Sequence, residues 1–484
     1  MMKRFVMVLA VFAALALALP ALAADVKIKG DFNNRFMVYT DHNDWLTMED
    51  AGLDDGSVDE TWGEAKYRMW VEASTNDGKV KGVWAIEVGA LHYGNESYRG
   101  EGAGGYSGDG VVLENRWMYT DFQLPWCENK AMIRMGLQPF SANSFYWQET
   151  VMGVKFSGAV NNVSYELAWL RPYEDQVYDE DDDADDMDAF YGRLNFKPAD
   201  GIKAGIFAVY HMGDADKDAL NPDGTPRETI TSQHYELKKL GNKFDTQIFT
   251  IGTDGSLAMN DFFAKWDFMY QTGSIDDANF QDAYKYDAKL GPQFIDYAGP
   301  GVADEDFDLD AYFLHVDLGY KLDALKFTYT FWYASGDDDS DDDDFEAFMA
   351  IDVDRMDNIC IFEGGFTDDN YFTEKPYLLD KGFIMNKLAV DYKANKKTTM
   401  GASFMYMMTA EDVEYMSEDG YEDEDEIGFE VDAYLKYKIY DNLEFAVNAG
   451  YLFAGDALDF YEVERDGDSD EDIFISTARI RYKF

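Results

Sequence analysis

The stretch Ile473-Phe-Ile-Ser-Thr-Ala-Arg-Ile-Arg-Tyr-Lys-Phe484 decides how the rest of the chain is read. Phe484, Tyr482, Ile480 and Ala478 fall on one face, while Lys483, Arg481, Arg479 and Thr477 fall on the other. Period two marks a strand with one apolar and one charged face. A soluble sheet can alternate in the same way. A terminal strand that ends on an aromatic and carries three bases on its polar face fits a membrane β-barrel better. There the apolar face meets lipid, the basic face meets a water-filled lumen, and aromatics sit at the interface.

The rest of the chain repeats this unit. Ala65, Tyr67, Met69, Val71 and Ala73 alternate with Glu64, Lys66, Arg68, Trp70 and Glu72, and Ser74-Thr-Asn-Asp-Gly78 is a tight-turn composition. The return strand is Val80 to Val88, followed by a long Gly-rich stretch. Strand pairs follow near 151–158 and 162–170, 188–197 and 201–211, 309–321 and 324–335, 384–393 and 397–408, and 428–439 and 442–454. Strands near 26–39, 113–121, 130–138, 243–251, 260–271 and the last one bring the expected count to about 18. The segment 243–251 is the least marked, so 16 is the alternative. The expected fold is an all-β, antiparallel, up-and-down transmembrane barrel. Its short turns are expected to face the periplasm and its long acidic loops the exterior. Short turns and long loops are expected to alternate without exception, which puts both chain ends in the periplasm. No fixed repeat period points to a solenoid or propeller.

The start of the chain reads as an export signal over residues 1–23. Lys3 and Arg4 precede an apolar run from Phe5 to Leu19, and Ala21-Leu22-Ala23 is a small-x-small cleavage site. The mature chain is expected to start at Ala24 as a single barrel domain, 24–484. No later run reaches the roughly 20 apolar residues of a membrane helix. Aromatics make up 16% of the chain, with 33 Tyr and 35 Phe, and a barrel uses them against lipid and in two interfacial girdles.

The net charge of −54 argues against nucleic acid or an acidic polymer as partner. The acid is concentrated in loops: 179–188, 337–344, 411–426 and 464–472. These read as solvated, self-repelling segments. Binding of divalent cations such as calcium, or attraction of cations to the mouth, is the functional alternative, but no run has EF-hand spacing. No cofactor is expected. On the lumen face bases outnumber acids by roughly two to one. Among the bases are Lys27, Lys29, Arg35, Lys66, Arg68, Arg116, Lys130, Arg134, Lys155, Arg193, Lys203, Lys326, Arg479 and Arg481. Among the acids are Glu64, Glu72, Glu114, Glu166, Glu430, Asp432 and Glu444. A basic bore inside an acidic shell favours anion passage.

The expected constriction is the segment 139–150. Pro139 is read as halting its strand, and Ser141-Ala-Asn-Ser-Phe-Tyr-Trp-Gln-Glu-Thr150 follows as the least charged long connection. Its aromatics Phe145, Tyr146 and Trp147 suit a loop folded into the barrel. Its one acid, Glu149, is expected to face Lys66, Arg68, Arg116 and Arg134, giving a transverse field.

These stretches resemble the trimeric outer-membrane porins of Gram-negative bacteria, most of all the homotrimeric porins of sulfate-reducing bacteria. The likeness rests on the export signal, Val26-Lys-Ile-Lys-Gly-Asp-Phe-Asn-Asn-Arg-Phe36, Gly136-Leu-Gln138-Pro139 and the terminal Phe484. It implies a passive diffusion channel for small hydrophilic solutes and ions in the bacterial outer membrane. It also implies three barrels per assembly, contact with outer-membrane lipid and lipopolysaccharide, and a third loop that narrows each barrel. Phe484, Tyr482 and Ile480 would form the tag read by the barrel-assembly machinery. The third loop here lacks the acidic cluster of the enteric members. Asn34 and the strand containing Gly30 are the candidates for subunit contact.

The rivals are an enzyme and a plugged, adhesin-like surface barrel. An enzyme is disfavoured. Of five histidines, His42, His92 and His234 read as loop residues and His211 and His315 as strand-end or lumen residues. No Gly-x-Ser-x-Gly is present. Cys127 sits in a short turn and Cys360 in the longest loop. An apolar band about 25 Å tall would separate them, too far for a disulfide, whose Cα atoms lie within about 7 Å. The apolar Ile359-Cys-Ile-Phe362 of that loop is expected to pack in the mouth or on a neighbouring subunit.

Overall fold

The structure is a computed structural model that describes residues 25–40, 60–94, 111, 113–127, 131–173, 187–215, 244–278, 305–338, 344–351, 381–416, 421–461 and 472–484. The export signal, Lys130, His42, His234, Cys360, Ile359–Phe362 and most of the acidic runs 179–188, 337–344 and 464–472 lie outside these residues. Cys127 is free.

Eighteen antiparallel strands close into one barrel. The first half comprises β1 (Asp25–Thr40), β2 (Glu60–Ser74), β3 (Val80–His92), β4 (Glu114–Gln123), β5 (Met132–Asn143), β6 (Trp147–Val160), β7 (Val163–Tyr173), β8 (Met187–Ala199) and β9 (Ile202–Ala215). The second comprises β10 (Phe244–Met259), β11 (Phe262–Ala278), β12 (Glu305–Leu322), β13 (Leu325–Ala334), β15 (Phe383–Tyr392), β16 (Thr398–Met416), β17 (Tyr421–Tyr440), β18 (Leu443–Ala454) and β19 (Ile473–Lys483). The remaining strand, β14 (Asp344–Phe345), pairs parallel with β12 and is not part of the wall. The count is 18 rather than 16, because 244–259 pairs along most of its length with both β9 and β11.

Alternation places the residues as the period-two reading expects. On β1 Asn33, Arg35, Met37 and Tyr39 are buried, while Phe36 and Val38 are exposed on the outside. The outer face is mainly apolar, with Ile206, Phe249, Leu318, Phe404 and Phe453 among its exposed side chains. The protein's core lies inside the barrel.

The seam between β1 and β19 completes the ring. Asp31 lies opposite Lys483 and the ladder runs up to Thr40 opposite Phe474. Reciprocal backbone bonds tie Gly30 to Phe484, at 3.0 and 3.1 Å. Arg481 grips Asp31 bidentately at 2.7 and 2.5 Å. The ring of Phe484 occupies the outer surface over Gly30, where a Cβ would stand 2.4 Å from Cε1. It also meets Phe32 edge-on and stacks on Tyr482. The absent side chain of Gly30 therefore serves the seam. Asn34 is likewise occupied within the chain, accepting bonds from Tyr67 and Tyr93.

Two sequence expectations change. The run 411–426 is not a loop, because β16 continues to Met416 and β17 starts at Tyr421. His92 is the last residue of β3 and lies 3.4 Å from Glu64. The seam yields a test. Gly30→Val should displace Phe484 and cost about 1–3 kcal/mol of overpacking, read as loss of heat-resistant folded barrel on cold gel electrophoresis. Phe484→Ala should restore part of that loss in the double variant. Equal folded yield for Gly30→Val and wild type would contradict this packing.

Candidate functional site: a hairpin across the lumen

The strands β5 and β6 leave the wall halfway up. Pairing of β4 with β5 stops at Met118 opposite Leu137, and pairing of β6 with β7 stops at Met152 opposite Arg171. Above that level β5 and β6 pair only with each other, through Gln138–Val151, Pro139–Thr150, Phe140–Glu149 and Ser141–Gln148. The departure point is a facing pair of glycines, Gly136 and Gly153. Gly136 has φ +118°, and a Cβ on it would lie 2.4 Å from the Met118 carbonyl oxygen. Only glycine accepts that backbone at that spacing.

The segment 139–150 is thus a hairpin with a three-residue turn, Ser144 to Tyr146, and not a long loop. It breaks the expected strict alternation of short turns and long loops. Pro139 does not stop β5. It sits where β5 has become an edge strand on the β4 side, a place that tolerates proline.

The tip of this hairpin is anchored on distant strands. Arg193 on β8 donates to the Ala142 carbonyl at 3.0 Å, and to Asp254 on β10 at 2.5 Å. Asn143 donates to Asp267 on β11 at 2.8 Å and its oxygen accepts from the Phe145 amide, fixing the turn. Asp267 in turn meets Nδ1 of His315 on β12 at 3.1 Å. Nε2 of His315 lies 3.4 Å from Asp317, which accepts from Thr330 of β13 at 2.7 Å. The Phe145 ring enters the pocket formed by Phe313, His315 and Trp332, with centroids 5.0, 4.4 and 4.9 Å away. The hairpin starts at β5–β6 and ends against β11–β13, so it spans the interior.

The segment 344–351 folds onto it from the β13 side. Gln271 brackets Met349 as a strand would, donating to its carbonyl at 2.9 Å and accepting from its amide at 2.8 Å. The Ile351 amide donates to the Tyr146 carbonyl at 2.8 Å. Phe345, Phe348, Met349 and Ile351 are all buried. In the sequence this apolar run is masked by the acidic one it directly follows, and its FEAFMAI composition is the available signal.

The hairpin has two unlike faces. Phe140 and Trp147 pack towards β8 and β9, with Phe140 edge-on to Tyr191 at 5.0 Å and Trp147 at 6.4 Å from His211. The other face carries Thr150, which accepts from Trp117 of β4 at 3.2 Å, and Ser141 and Gln148. Glu149 lies across from Phe140 and so shares the face directed away from β2–β4. It makes no ion pair among the described residues.

The wall bases expected to face Glu149 are held by wall acids. Lys66, Arg68 and Arg116 converge on Glu87, Lys66 at 3.1 Å and Arg116 at 2.5 Å. Arg134 forks onto Asp121 at 2.7 and 3.1 Å, and Lys81 joins it at 3.0 Å. Arg134 also lies 4.2 Å over the Tyr119 ring. Asp31, Glu87, Asp121, Asp254, Asp267, Asp317 and Asp391 also stand on the inner face, so bases do not outnumber acids there two to one. The clustering is local: three bases meet one acid at Glu87, and two meet one at Asp121 and at Asp31. Below the hairpin tip a cavity of about 610 Å³ opens towards the short-turn end, lined by Arg193, Asn195, Lys203, Asp254, Lys265 and Asp267.

No family model and no curated protein matches the chain. Its fold is similar to solved structures of Pseudomonas aeruginosa proteins. OpdO is 10% identical with a TM-score of 0.50, covering 95% of this chain and 97% of that one. OccK8 (OprE) is 10% identical with a TM-score of 0.52, covering 95% and 98%. The likeness is one of barrel architecture.

The anchoring of the tip is testable by hydrogen exchange. A buried bond to a charged group contributes about 1.5–3 kcal/mol. Arg193→Ala should therefore speed exchange of the 142–147 amides by roughly ten- to a hundredfold, with the β16–β19 amides unchanged. Wild-type exchange at the tip would show that Arg193 does not hold it.

Proposed function

We propose that the chain is an outer-membrane channel for passive diffusion of small hydrophilic solutes and ions, exported by the segment 1–23, with the hairpin 139–150 as its size-limiting element. The observation that carries this reading is the crossing hairpin, whose tip is bonded to β8 and β11 and which turns a polar face of Ser141, Gln148 and Thr150 towards the charged wall of β2–β4. A barrel wide enough for 18 strands needs such an element to limit its bore. The lumen wall is built of ion pairs, whose fixed charges attract water and ions, whereas the outer face is apolar. The reading carries with it insertion by the barrel-assembly machinery through Phe484, Tyr482 and Ile480, assembly as a homotrimer, and contact with lipopolysaccharide. Divalent cations are natural counter-ions for the acidic loops.

Selectivity follows from the local clustering. Lys66, Arg68 and Arg116 gather on Glu87, and Arg134 and Lys81 on Asp121, so bases are clustered on the part of the wall that the hairpin's polar face overlooks. Fixed charge in a narrow, low-dielectric passage decides which ions enter, and this reading favours anions.

Planar-bilayer recording tests both parts. Purified protein should give stepwise conductance, and reversal potentials in a salt gradient should lie on the anion side. Glu87→Gln removes the acid shared by three bases and should move the reversal potential further that way. A silent barrel would support the plugged, adhesin-like alternative, and a cation-selective one would overturn the anion preference.

A further inference from the structure

The lysines at the short-turn end differ from the bases of the lumen. Three neighbouring turns, β12–β13, β15–β16 and β17–β18, are stitched into one arc. The Lys393 amide donates to the Ala324 carbonyl at 2.9 Å, and the Lys438 amide to the Lys397 carbonyl at 2.9 Å. The Lys397 ammonium donates to the Ile439 carbonyl at 3.3 Å. On this arc Lys321, Lys393, Lys396, Lys397 and Lys438 are exposed, and none forms an ion pair among the described residues. The exposed acids between them are Asp323 and Asp441. In a chain of net charge −54, five unpaired lysines on three adjacent turns form a marked positive rim.

Directly above this arc the outer face of the barrel is concave. A groove of about 990 Å³ runs over β11–β17 and is lined by Leu318, Tyr320, Phe327, Leu388, Ala402 and Phe404, among others. Tyr320, Tyr392, Tyr437 and Tyr440 are exposed at its lower edge, next to the lysines. Exposed tyrosines between an apolar band and a row of lysines mark a membrane–water boundary.

We infer that this groove and arc form one binding site for an anionic phospholipid, with an acyl chain in the groove and the headgroup phosphate on Lys393, Lys396 and Lys397. The inference rests on the reading of the barrel as membrane-embedded. Charge selects this occupant. A second copy of the chain would bring its own unpaired lysines to the same arc, whereas a phosphate supplies the missing counter-charge. Lysines at a membrane surface attract anionic headgroups individually and additively, and their long stems let the ammonium reach the phosphate level from a turn.

The test compares wild type, the triple variant Lys393→Gln/Lys396→Gln/Lys397→Gln, and Ala402→Trp, which fills the groove and leaves the lysines in place. Each is reconstituted into bilayers of phosphatidylethanolamine with phosphatidylglycerol, then extracted in mild detergent. Retained lipid is measured by native mass spectrometry. Wild type should retain phosphatidylglycerol over phosphatidylethanolamine by at least about tenfold, the triple variant should lose that preference, and Ala402→Trp should lose bound lipid of both kinds. Equal retention of the two lipids by wild type, or an unchanged preference in the triple variant, overturns the inference. So does dissociation of an oligomer in Ala402→Trp with lipid retention unchanged, which would assign the groove to a second copy. Conductance of the triple variant should stay at the wild-type level, so loss of lipid preference is read separately from loss of the channel.

Discussion

Closure of the backbone ladder is the constraint on which the rest of this structure depends. Hydrocarbon offers no partner to an open N–H or C=O, so a sheet can lie in it only as a complete ring. Here the ring is completed where β1 meets β19, down to the pair of bonds between Gly30 and Phe484. An even number of strands brings the start of β1 and the end of β19 to the same rim, and antiparallel pairing does the rest. Side chains then have only two destinations. Those on the outside become apolar, and the polar ones are gathered inside.

That gathering creates an electrostatic problem, which the inner wall solves locally. Arg35 and Arg479 lie directly opposite each other across the seam, an arrangement that destabilises a sheet. Each turns to the other side, Arg35 to Glu64 on β2 and Arg479 to Glu444 on β18 at 3.1 Å. The same rule spreads around the bore: Lys155 meets Glu166, Arg193 meets Asp254, and Lys326 meets Asp391. Where both partners are buried, as in Arg35–Glu64, removing one strands the other charge at a cost of about 3–5 kcal/mol. The ladder therefore holds the wall as well as charging it. Among the described residues, several bases share one acid at Glu87, at Asp121 and, on the seam, at Asp31.

Most of the barrel could be read from alternation because a strand between an apolar outer face and a polar interior records its two environments residue by residue. The 18 strands, the faces of Arg479 and Arg481, and the outward face of Phe484 all follow from period two. What was illegible has a common cause: it departs from the wall. Pro139 looks like a stop because a proline in a central strand would be one; only the loss of the β4 partner makes its position an edge. The inner acids Asp254 and Asp267 lie beyond or within strands whose extent was underestimated, so their pairing to Arg193 and Asn143 could not be seen. The run 345–351 hides behind aspartates. Contacts that cross the lumen join residues 124 and 78 positions apart, and no local pattern records them.

The element that crosses the lumen is a hairpin rather than a free loop, and this has a physical consequence. A flexible loop would lose conformational entropy in every residue it ordered inside the lumen, about 1–2 kcal/mol for each backbone unit. In β5–β6 much of that ordering is supplied by the ladder from Gln138–Val151 to Ser141–Gln148, which continues a pairing already made in the wall. Only the tip needs further anchors, and it has three kinds: the Arg193 bond to Ala142, the Asn143–Asp267–His315 chain, and the Phe145 ring among Phe313, His315 and Trp332. The facing glycines at 136 and 153 let two strands turn off the wall together without losing register. A rigid, two-faced bar results. One face packs its aromatics against β8 and β9, and the other carries Ser141, Gln148 and Thr150, the last bonded to Trp117 of β4.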